Sequence, residues 1–434
     1  MATILLKVGL ALLSGILGAW VLRTRLMSLP ERSFQVGALA LQVFPALALF
    51  VALYVVGHQE PTSDVPAYYL PAARAVLAGQ VPFRDFPLSY APGFPYVGAA
   101  LAALWNSGKM FALFAILVNG AALLWWHSAA TAHFDRSLVR HCTVLYASSG
   151  HVLVLALLGS NQAWVSAGLA ASALLMSRNQ EGGAGFVQAA AACTTKVLAH
   201  LFWPVQWICA QHRARWLLAA VIPTALLYGA FVFLGAGPGL LYPLRHEGAL
   251  ISPGNLPYLL DLVLGDARVM YDLLALAALG IATLWIYLKS RAMPARQRQS
   301  LLLMGLALTG LVFMIFSKKS FTGYLVFVMY PVILALVTGT PAVRTRVVFL
   351  LAFNSLLVVE PTLWFRLDGE YWPLRTWLVM RDARAVIGFV LLDLVLLACY
   401  LYLAWLSARG VARMAEGAIS SRSPSQSVTA CSLV

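Results

Sequence analysis

The stretch from His58 to Pro95 concentrates residues that could do chemistry, and it lies between two strongly apolar segments. Its acids and tyrosines are Glu60, Asp64, Asp85, Tyr68, Tyr69, Tyr90 and Tyr96. A carboxylate near a helix end at a membrane face can take the proton from a hydroxyl group, as transfer to that hydroxyl requires. Asp64 is the strongest candidate for this base, because aromatic residues and not other charges follow it. We expect Tyr68 and Tyr90 to contact the substrate.

The other two acids of this stretch have different interpretations. Asp85 directly follows Arg84, so a structural salt bridge and a second catalytic acid are equally compatible with the sequence. We interpret Glu60 as a solvated loop charge.

A second group of residues could bind a phosphate, which needs cations. Its members are Lys196, His200, Arg245, Lys318 and Lys319. Lys318 and Lys319 could equally contact lipid headgroups. Lys196 stands in an apolar stretch, where a lysine is costly unless it lines a cavity or forms a pair; the alternative is a side chain that snorkels to the interface.

Two neutral amides, Asn161 and Gln162, follow Gly159 and Ser160. They could hydrogen-bond a substrate hydroxyl. They could also cap the helix that follows, and capping is the interpretation we favour.

The elements that must position these residues are transmembrane helices. Of 434 residues, 61% are hydrophobic and only 11% are charged, which is too little charge for a soluble domain. Apolar runs of about 20 residues, enough to cross a bilayer as a helix, recur along the chain. The sequence predicts an all-α polytopic membrane protein that forms one domain over 1–434, with about 12–13 transmembrane helices. The expected spans are 4–22, 34–57, 110–128, 142–158, 160–178, 185–197, 198–211, 216–236, 269–288, 300–316, 321–339, 346–361 and 386–407.

The net charge of +14 comes from basic residues in short loops between these spans. Such loops belong on the cytoplasmic side and can contact anionic lipids. We therefore expect membrane lipids, and no nucleic acid, as partners.

Placing the basic loops inside puts the 58–91 loop on the outer face, and the single crossing 110–128 leads back to Arg136. The apolar segment 93–106 is then a juxtamembrane helix, and 58–109 forms an outer catalytic loop. The same reasoning divides 185–211 into two short helices with a turn near 194–200. That turn brings Lys196 and His200 to the outer face. The Ser-rich end, 410–434, is expected to be a disordered cytoplasmic tail.

The outer loop carries a resemblance to a known family. The segments D-V-P-A-Y-Y from Asp64, L-A-G-Q-V-P-F-R-D-F from Leu77 and Y-A-P-G from Tyr90 resemble the first outer loop of GT-C superfamily glycosyltransferases. Phe83 stands where the family usually has tyrosine, and Ala91-Pro92 replaces Pro-Pro.

Two later segments are similar to the branch of this family that uses polyprenyl-phosphate mannose. The block 159–204 contains a lysine followed by a proline, Lys196 and Pro204, as the paired short helices of that branch do. Its Gly-Ser-Asn-Gln replaces the G-Q-x-N turn of that branch. The segment SFTGYLVFVMYP, 320–331, looks like the late span of the family.

The resemblance implies a GT-C-like bundle and an inverting hexosyltransferase that takes a sugar from a polyprenyl-phosphate donor. The sugar would be mannose or another hexose or pentose, and the acceptor a hydroxyl of a glycan, lipid or protein. Asp64 would be the general base. Relatives that need a divalent metal hold it with further acids, and no matching acid stands in GSNQAW. We therefore expect no metal and no other cofactor.

The alternative is a transporter or flippase for a lipid-linked substrate. It would show paired inverted halves and charges at the midplane of several spans, and apart from Lys7, Lys196 and Asp393 few charges stand within the spans. The chain carries no retention tail of the eukaryotic kind, so we expect the bacterial inner membrane.

Overall fold

A computed structural model describes residues 2–62, 64–265, 267–367, 373–380 and 383–420 as a bundle of helices. These residues form no β-sheet, only an isolated bridge between Pro82 and Phe86. The helices are α1 (Ala2–Val21), α2 (Glu31–Phe50), α3 (Leu70–Leu77), α4 (Phe94–Leu104), α5 (Gly108–Thr131), α6 (Arg136–Ala147), α7 (Gly150–Leu157), α8 (Gln162–Ser177), α9 (Glu181–Thr194), α10 (Trp203–Cys209), α11 (Arg213–Phe231), α12 (Tyr242–Gly248), α13 (Leu256–Leu264), α14 (Arg268–Arg291), α15 (Ala295–Arg298), α16 (Leu302–Phe316), α17 (Met329–Gly339), α18 (Val343–Arg366), α19 (Leu374–Met380) and α20 (Ala383–Ser420). The longer π or 3₁₀ segments are Val51–Val56, Val65–Tyr69, Val197–Phe202, Val232–Ala236, Gly237–Leu241 and Thr322–Val328.

The prediction of an all-α, multi-pass membrane protein is confirmed. Nine helical stretches of the described chain are long and apolar enough to cross a membrane: Ile4–Val21, Glu31–Val56, Gly108–Thr131, Arg213–His246, Arg268–Arg291, Ala295–Phe316, Thr322–Gly339, Val343–Arg366 and Val386–Gly417. A tenth span results if α7 and α8, which meet at a bend of 120°, are counted together.

The expected number of about 12–13 spans was too high, and the excess comes from the region 142–211. Here α7, α8, α9 and α10 have only 8, 16, 14 and 7 residues. At about 1.5 Å per residue, none of them crosses a hydrocarbon core of about 30 Å. The predicted turn near 194–200 is confirmed, because α9 ends at Thr194 and a 3₁₀ segment begins at Val197. The segment 93–106 is the short helix α4, as expected.

The bundle has a buried centre and a periphery that exposes apolar surface. The spans Ala295–Phe316 and Thr322–Gly339 are each 89% buried within the protein. By contrast, Ile4–Val21 and Arg268–Arg291 are 17% buried and Arg213–His246 is 11% buried. Helices that remain so apolar and so exposed are suited to lipid contact.

The loop between α2 and α4, residues 58–93 (the 58–93 loop), packs as an ordered unit with its own apolar core. Val65, Tyr69, Phe83, Tyr90 and Phe94 are buried in one cluster with residues of α5, α8 and α11. The loop is therefore held by side chains from three helices, which gives its acids defined positions.

At one end of the bundle, an ionic cluster joins α2, α5 and α6. Glu31, at the start of α2, bonds to His127 and forms ion pairs with Arg136 at 2.7 Å and Arg140 at 3.0 Å. Arg140 is only 5% exposed and also donates to the carbonyl of Met27 at 2.7 Å. The carboxylate thus compensates a guanidinium that water cannot fully solvate.

We expect Glu31→Gln to destabilise the protein by about 1–3 kcal/mol, because it leaves the buried Arg140 without its counter-charge. Thermal unfolding in detergent measures this loss. Glu60→Gln is the matched control, since it removes a carboxylate that is 61% exposed and pairs with Lys109 at 3.3 Å. An ion pair whose acid is open to water contributes at most about 1 kcal/mol. Equal melting temperatures for the two variants would contradict the expectation.

The expected disordered tail, 410–434, lies only partly within the described residues. Helix α20 continues to Ser420, so 410–420 is helical, and the prediction of disorder is wrong there. The rest of that prediction, 421–434, falls outside the described residues.

Candidate functional site

Asp64 immediately precedes the π-helical turn Val65–Tyr69, which leads into α3. Its side chain is half-buried, whereas Val65 and Tyr69 are 1% and 0% exposed and anchor the turn. Gly159 has a φ of +72°, and a Cβ atom there would lie 2.9 Å from Val65 Cγ2. Only glycine fits this close approach without strain, so the α7–α8 bend and the turn that carries Asp64 fix each other.

Two phenols hold one oxygen of the Asp64 carboxylate. Asp64 Oδ2 accepts a hydrogen bond from the Tyr90 hydroxyl at 2.9 Å and from the Tyr69 hydroxyl at 3.4 Å. Burial raises the pKa of both phenols well above the ordinary value, so both remain protonated donors at neutral pH. Asp64 Oδ1 makes no hydrogen bond with any described residue. One oxygen is thus oriented, and the other is available to take a proton.

The 58–93 loop docks on the break that follows α9. The backbone N–H of Gly93 donates to the carbonyl of Cys193 at 2.8 Å, and a Cβ atom on Gly93 would lie 2.8 Å from that oxygen. This contact brings Tyr90 beside Lys196, whose Nζ lies 5.4 Å from the Tyr90 ring centroid. Lys196 and Asp64 therefore contact opposite parts of the same tyrosine.

Lys196 is a buried cation surrounded by aromatic rings. It is 8% exposed, and its Nζ lies 4.5 Å from the ring centroid of Tyr324. Among the described residues it makes these cation–π contacts but no hydrogen bond and no ion pair. Such contacts only partly replace water around an ammonium group, so Lys196 keeps capacity to bind an anion.

A second lysine shares this electrostatic environment. Burial lowers the pKa of Lys196 to about 8, and the charge of Asp64 opposes that shift. Burial, followed by the charge of Lys196, lowers the pKa of Lys319 to about 7, again opposed by Asp64. Lys196 thus lowers the pKa of Lys319 beside one carboxylate, and a site of this kind would be stabilised by a bound anion.

Asn161 stands at the start of α8 but does not cap it. Its side chain is 0% exposed and makes no capping hydrogen bond, and neither polar side-chain atom has a partner in the described chain. The capping interpretation is therefore wrong for Asn161. Its backbone N–H donates to the Tyr69 hydroxyl at 3.4 Å, which places the residue next to the tyrosines that hold Asp64. Gln162, 7% exposed, contacts Ser160.

Asp85 lies away from this group. It forms a salt bridge with Arg84 at 2.9 Å and accepts the Val81 N–H at 2.7 Å. The hydrogen bond from Arg84 is the main cause that lowers its pKa to about 2. Of the two interpretations left open by the sequence, the structure shows the salt bridge, and it gives Asp85 no contact with Asp64.

For the other three expected phosphate ligands, the structure shows contacts or surroundings that do not include Asp64. Lys318 is 4% exposed and pairs with Asp272 at 2.6 Å. His200 bonds through Nδ1 to the Val197 carbonyl at 2.8 Å. Arg245 is exposed on the short helix α12. Of the original set, Lys196 and Lys319 remain near Asp64.

Tyr68 is 53% exposed, with its ring 6.5 Å from that of Tyr90. It thus lines the open side of the tyrosine group. Tyr69 and Tyr324 are site residues to which the sequence gave no role. Tyr69 belonged to the tyrosine cluster of the 58–93 loop. Tyr324 lies 260 residues from Asp64, in the segment 320–331, whose pattern suggested a late span but gave this tyrosine no role in the site.

In the described part of the chain, no group of three or more His, Cys, Asp or Glu residues is arranged to hold a metal ion. No known protein family matches the sequence, and no curated protein is significantly similar to it. The arrangement itself can take up a proton at Asp64 and hold an anion at Lys196 and Lys319.

Proposed function

We propose that this protein is an inverting glycosyltransferase that moves a sugar from a polyprenyl-phosphate donor to an acceptor hydroxyl at the outer face of a membrane. The observation that carries the proposal is the shared contact of Asp64 and Lys196 with Tyr90. The proton acceptor Asp64 and the cation Lys196, which has no ionic partner in the described chain, both contact Tyr90. A transfer with an anionic leaving group requires a base and a cation close together. The residues that resemble GT-C enzymes are the ones that build this site.

The reaction follows from these positions. Asp64 Oδ1 takes the proton of the acceptor hydroxyl while the hydroxyl oxygen forms a bond to the anomeric carbon of the sugar. The bond between that carbon and the phosphate oxygen breaks from the opposite face, so the configuration inverts. The electron pair of that bond leaves with the polyprenyl phosphate, whose charge Lys196 and Lys319 stabilise. We assign the sugar hydroxyl contact to Asn161, because neither polar atom of its buried amide has a partner in the described chain.

The sugar, which we propose to be mannose or another hexose or pentose, and the acceptor are not specified by these contacts. The exposed apolar faces of the peripheral spans provide surfaces for the polyprenyl tail. The bacterial inner membrane remains the proposed location.

A buried acid pair favours the alternative function, transport of a lipid-linked substrate. Glu360 on α18 and Asp393 on α20 are 2% and 0% exposed, and neither forms an ion pair with a described residue. Ionisable residues in spans often mark substrate or ion pathways. Asp393 accepts the Gly254 N–H at 3.2 Å, so the pair also has a role in holding the 252–255 segment.

One assay separates the two functions. Membranes that contain the protein are supplied with polyprenyl-phosphate mannose labelled with tritium in the sugar. Transfer releases the label from the polyprenyl phosphate and attaches it to an acceptor through an inverted linkage. Label that crosses the membrane while still attached to the polyprenyl phosphate would overturn the proposal in favour of transport.

We expect donor affinity to fall as the pH rises through about 7 to about 8, where Lys319 and Lys196 lose their charges. A lysine is cationic below its pKa, and the phosphodiester of the donor stays anionic throughout this range, so only the protein titrates. Binding of polyprenyl-phosphate mannose in detergent between pH 6 and pH 9 measures the effect. In Lys196→Arg the upper part of the decline should vanish, because arginine remains charged. A flat wild-type profile would contradict the assignment.

A further inference from the structure

A chain of hydrogen-bonded side chains links α8, α9 and α10 to the 3₁₀ segment that follows Lys196. Ser172 of α8, Gln188 of α9 and Gln206 of α10 are all 0% exposed. Ser172 Oγ donates to Gln206 Oε1 at 2.8 Å, and Gln206 Nε2 donates to Gln188 Oε1 at 3.1 Å. Gln188 Nε2 donates to the backbone carbonyl of Ala199 at 2.9 Å. The surroundings are apolar: Ala173, Ala199 and Val205 belong to the main hydrophobic core.

This chain of hydrogen bonds ends at the backbone of the segment that follows Lys196. Ala199 lies three residues after Lys196, in the 3₁₀ segment Val197–Phe202. Between α9 and that segment, Lys196 is extended, with φ −132° and ψ 136°. A short 3₁₀ segment has weaker internal hydrogen bonds than an α-helix, so it needs outside contacts to keep its position. Gln188 supplies such a contact from the helix that precedes the break.

Buried amides are costly unless they are paired. Three polar side chains at the junction of four helical segments therefore favour one packing of those segments over others, as interhelical polar contacts do in membrane proteins. In the favoured packing, the helix is broken between α9 and the 3₁₀ segment. If α9 continued as a helix through 195–199, Ala199 would move from its present place and Gln188 would lose its acceptor.

We propose that Gln188 and Gln206 are positioning residues for Lys196, and that their amide pair holds the helix break that places its ammonium group between Tyr90 and Tyr324. The benefit of this positioning rests on the proposed function, since a preorganised cation stabilises a phosphate that must leave. The amides contact neither Asp64 nor Lys196 in the described structure, so they act only through the backbone of the break.

The test is the double variant Gln188→Met/Gln206→Met. Methionine has a similar volume and flexibility, and replacement of both partners of a buried pair by residues of like shape is far milder than removal of one.

The first readout needs no donor. Acetic anhydride modifies only the neutral amine, so the extent of Lys196 acetylation against pH, read by mass spectrometry, reports its titration midpoint.

In the wild type we expect a midpoint near the depressed value of about 8. In the double variant the midpoint should rise towards that of an ordinary lysine, because a released ammonium group becomes hydrated. The second readout, affinity for polyprenyl-phosphate mannose, should fall about tenfold, the size of one lost hydrogen bond to a charged group.

Gln299→Met is the matched control. Gln299 is also buried, at 3% exposure, and donates to Glu181 at 3.3 Å at the start of α9, the end remote from the break. It should change neither readout, even if it lowers the melting temperature. An unchanged midpoint in the double variant, or an equal shift in Gln299→Met, would overturn the positioning role. Failure of the wild type to bind the donor, with the shift in midpoint present, would instead refute the proposed function and leave the positioning role supported.

Discussion

Membranes that carry Asp64→Asn are expected to transfer sugar about 10²–10⁴ times more slowly than wild-type membranes, the usual contribution of a general base. Asparagine keeps an oxygen that can accept the bond from Tyr90, so the site should retain its shape and lose only its proton acceptor. Donor affinity should be unchanged or tighter at pH 6, where both lysines stay charged and loss of a negative charge does not weaken the binding of an anion. The comparison holds only at this pH, because Asp64 also opposes the lowering of the pKa of Lys196 and of Lys319. The rate of label transfer from polyprenyl-phosphate mannose and the donor dissociation constant measure the two effects separately.

Asp85→Asn is the matched control, since it removes a carboxylate from the same loop. That carboxylate is paired with Arg84 and exposed, so transfer should continue at nearly the wild-type rate. Full activity of Asp64→Asn would remove Asp64 from the role of base. Equal losses in both variants would show that the loop, and not one carboxylate, had been disturbed.

The second large effect is expected for Lys196→Met, which should weaken donor binding by about 10–100-fold, the size of a lost hydrogen bond to a charged group. The ammonium group has no ionic partner among the described residues, so its removal leaves no other buried charge unpaired and folding should be retained. The transfer rate at saturating donor should also fall, because the leaving phosphate carries more charge in the transition state than in the ground state.

Lys318→Met is the matched control, because Lys318 is also buried but has an ionic partner. Lys318 pairs with Asp272 at 2.6 Å, so its loss should lower the melting temperature while donor affinity remains unchanged. If Lys318→Met weakened donor binding as much as Lys196→Met, the phosphate site would have been assigned to the wrong lysine.

The contrast between Lys318 and Lys319 shows that the sequence could not predict which of two neighbouring lysines faces the site. The two residues are adjacent and chemically identical, and the sequence offered the same two roles for both. In the fold, Lys318 meets Asp272 of α14, whereas Lys319 is close enough to Asp64 and Lys196 for their charges to affect it. Which way a side chain points depends on the packing of distant segments, and no local pattern contains that information.

Hydropathy located the long spans well, because about 20 consecutive apolar residues are hard to place anywhere but in a membrane. It failed over 142–178, where apolar content continues but the chain turns back by 120°. The cause is local backbone geometry at Gly159, which a hydropathy average does not register. The break at Lys196 could be predicted because a charged residue in an apolar run demanded an explanation.

The misjudged Asn161 has a comparable cause. An N-cap side chain usually reaches the helix from an extended backbone, but Asn161 has φ −74° and ψ 0°. Residue type alone favoured a cap, and the tight turn after Gly159 prevented one. The unpaired amide that results is the reason for assigning Asn161 to the sugar.

The segment 317–328 comprises the link between the two most deeply buried spans of the described chain and the start of the second of them, and it carries both Lys319 and Tyr324. A shift of this side of the site would require the close-packed centre of the bundle to move with it. If the donor is a polyprenyl phosphate, as we propose, we expect its entry where the 58–93 loop meets α11 through Phe83 and Phe231, because the span Arg213–His246 is only 11% buried. The proposed function thus predicts that the 317–328 side of the site stays fixed and that the side formed by the 58–93 loop and α11 moves to admit the donor.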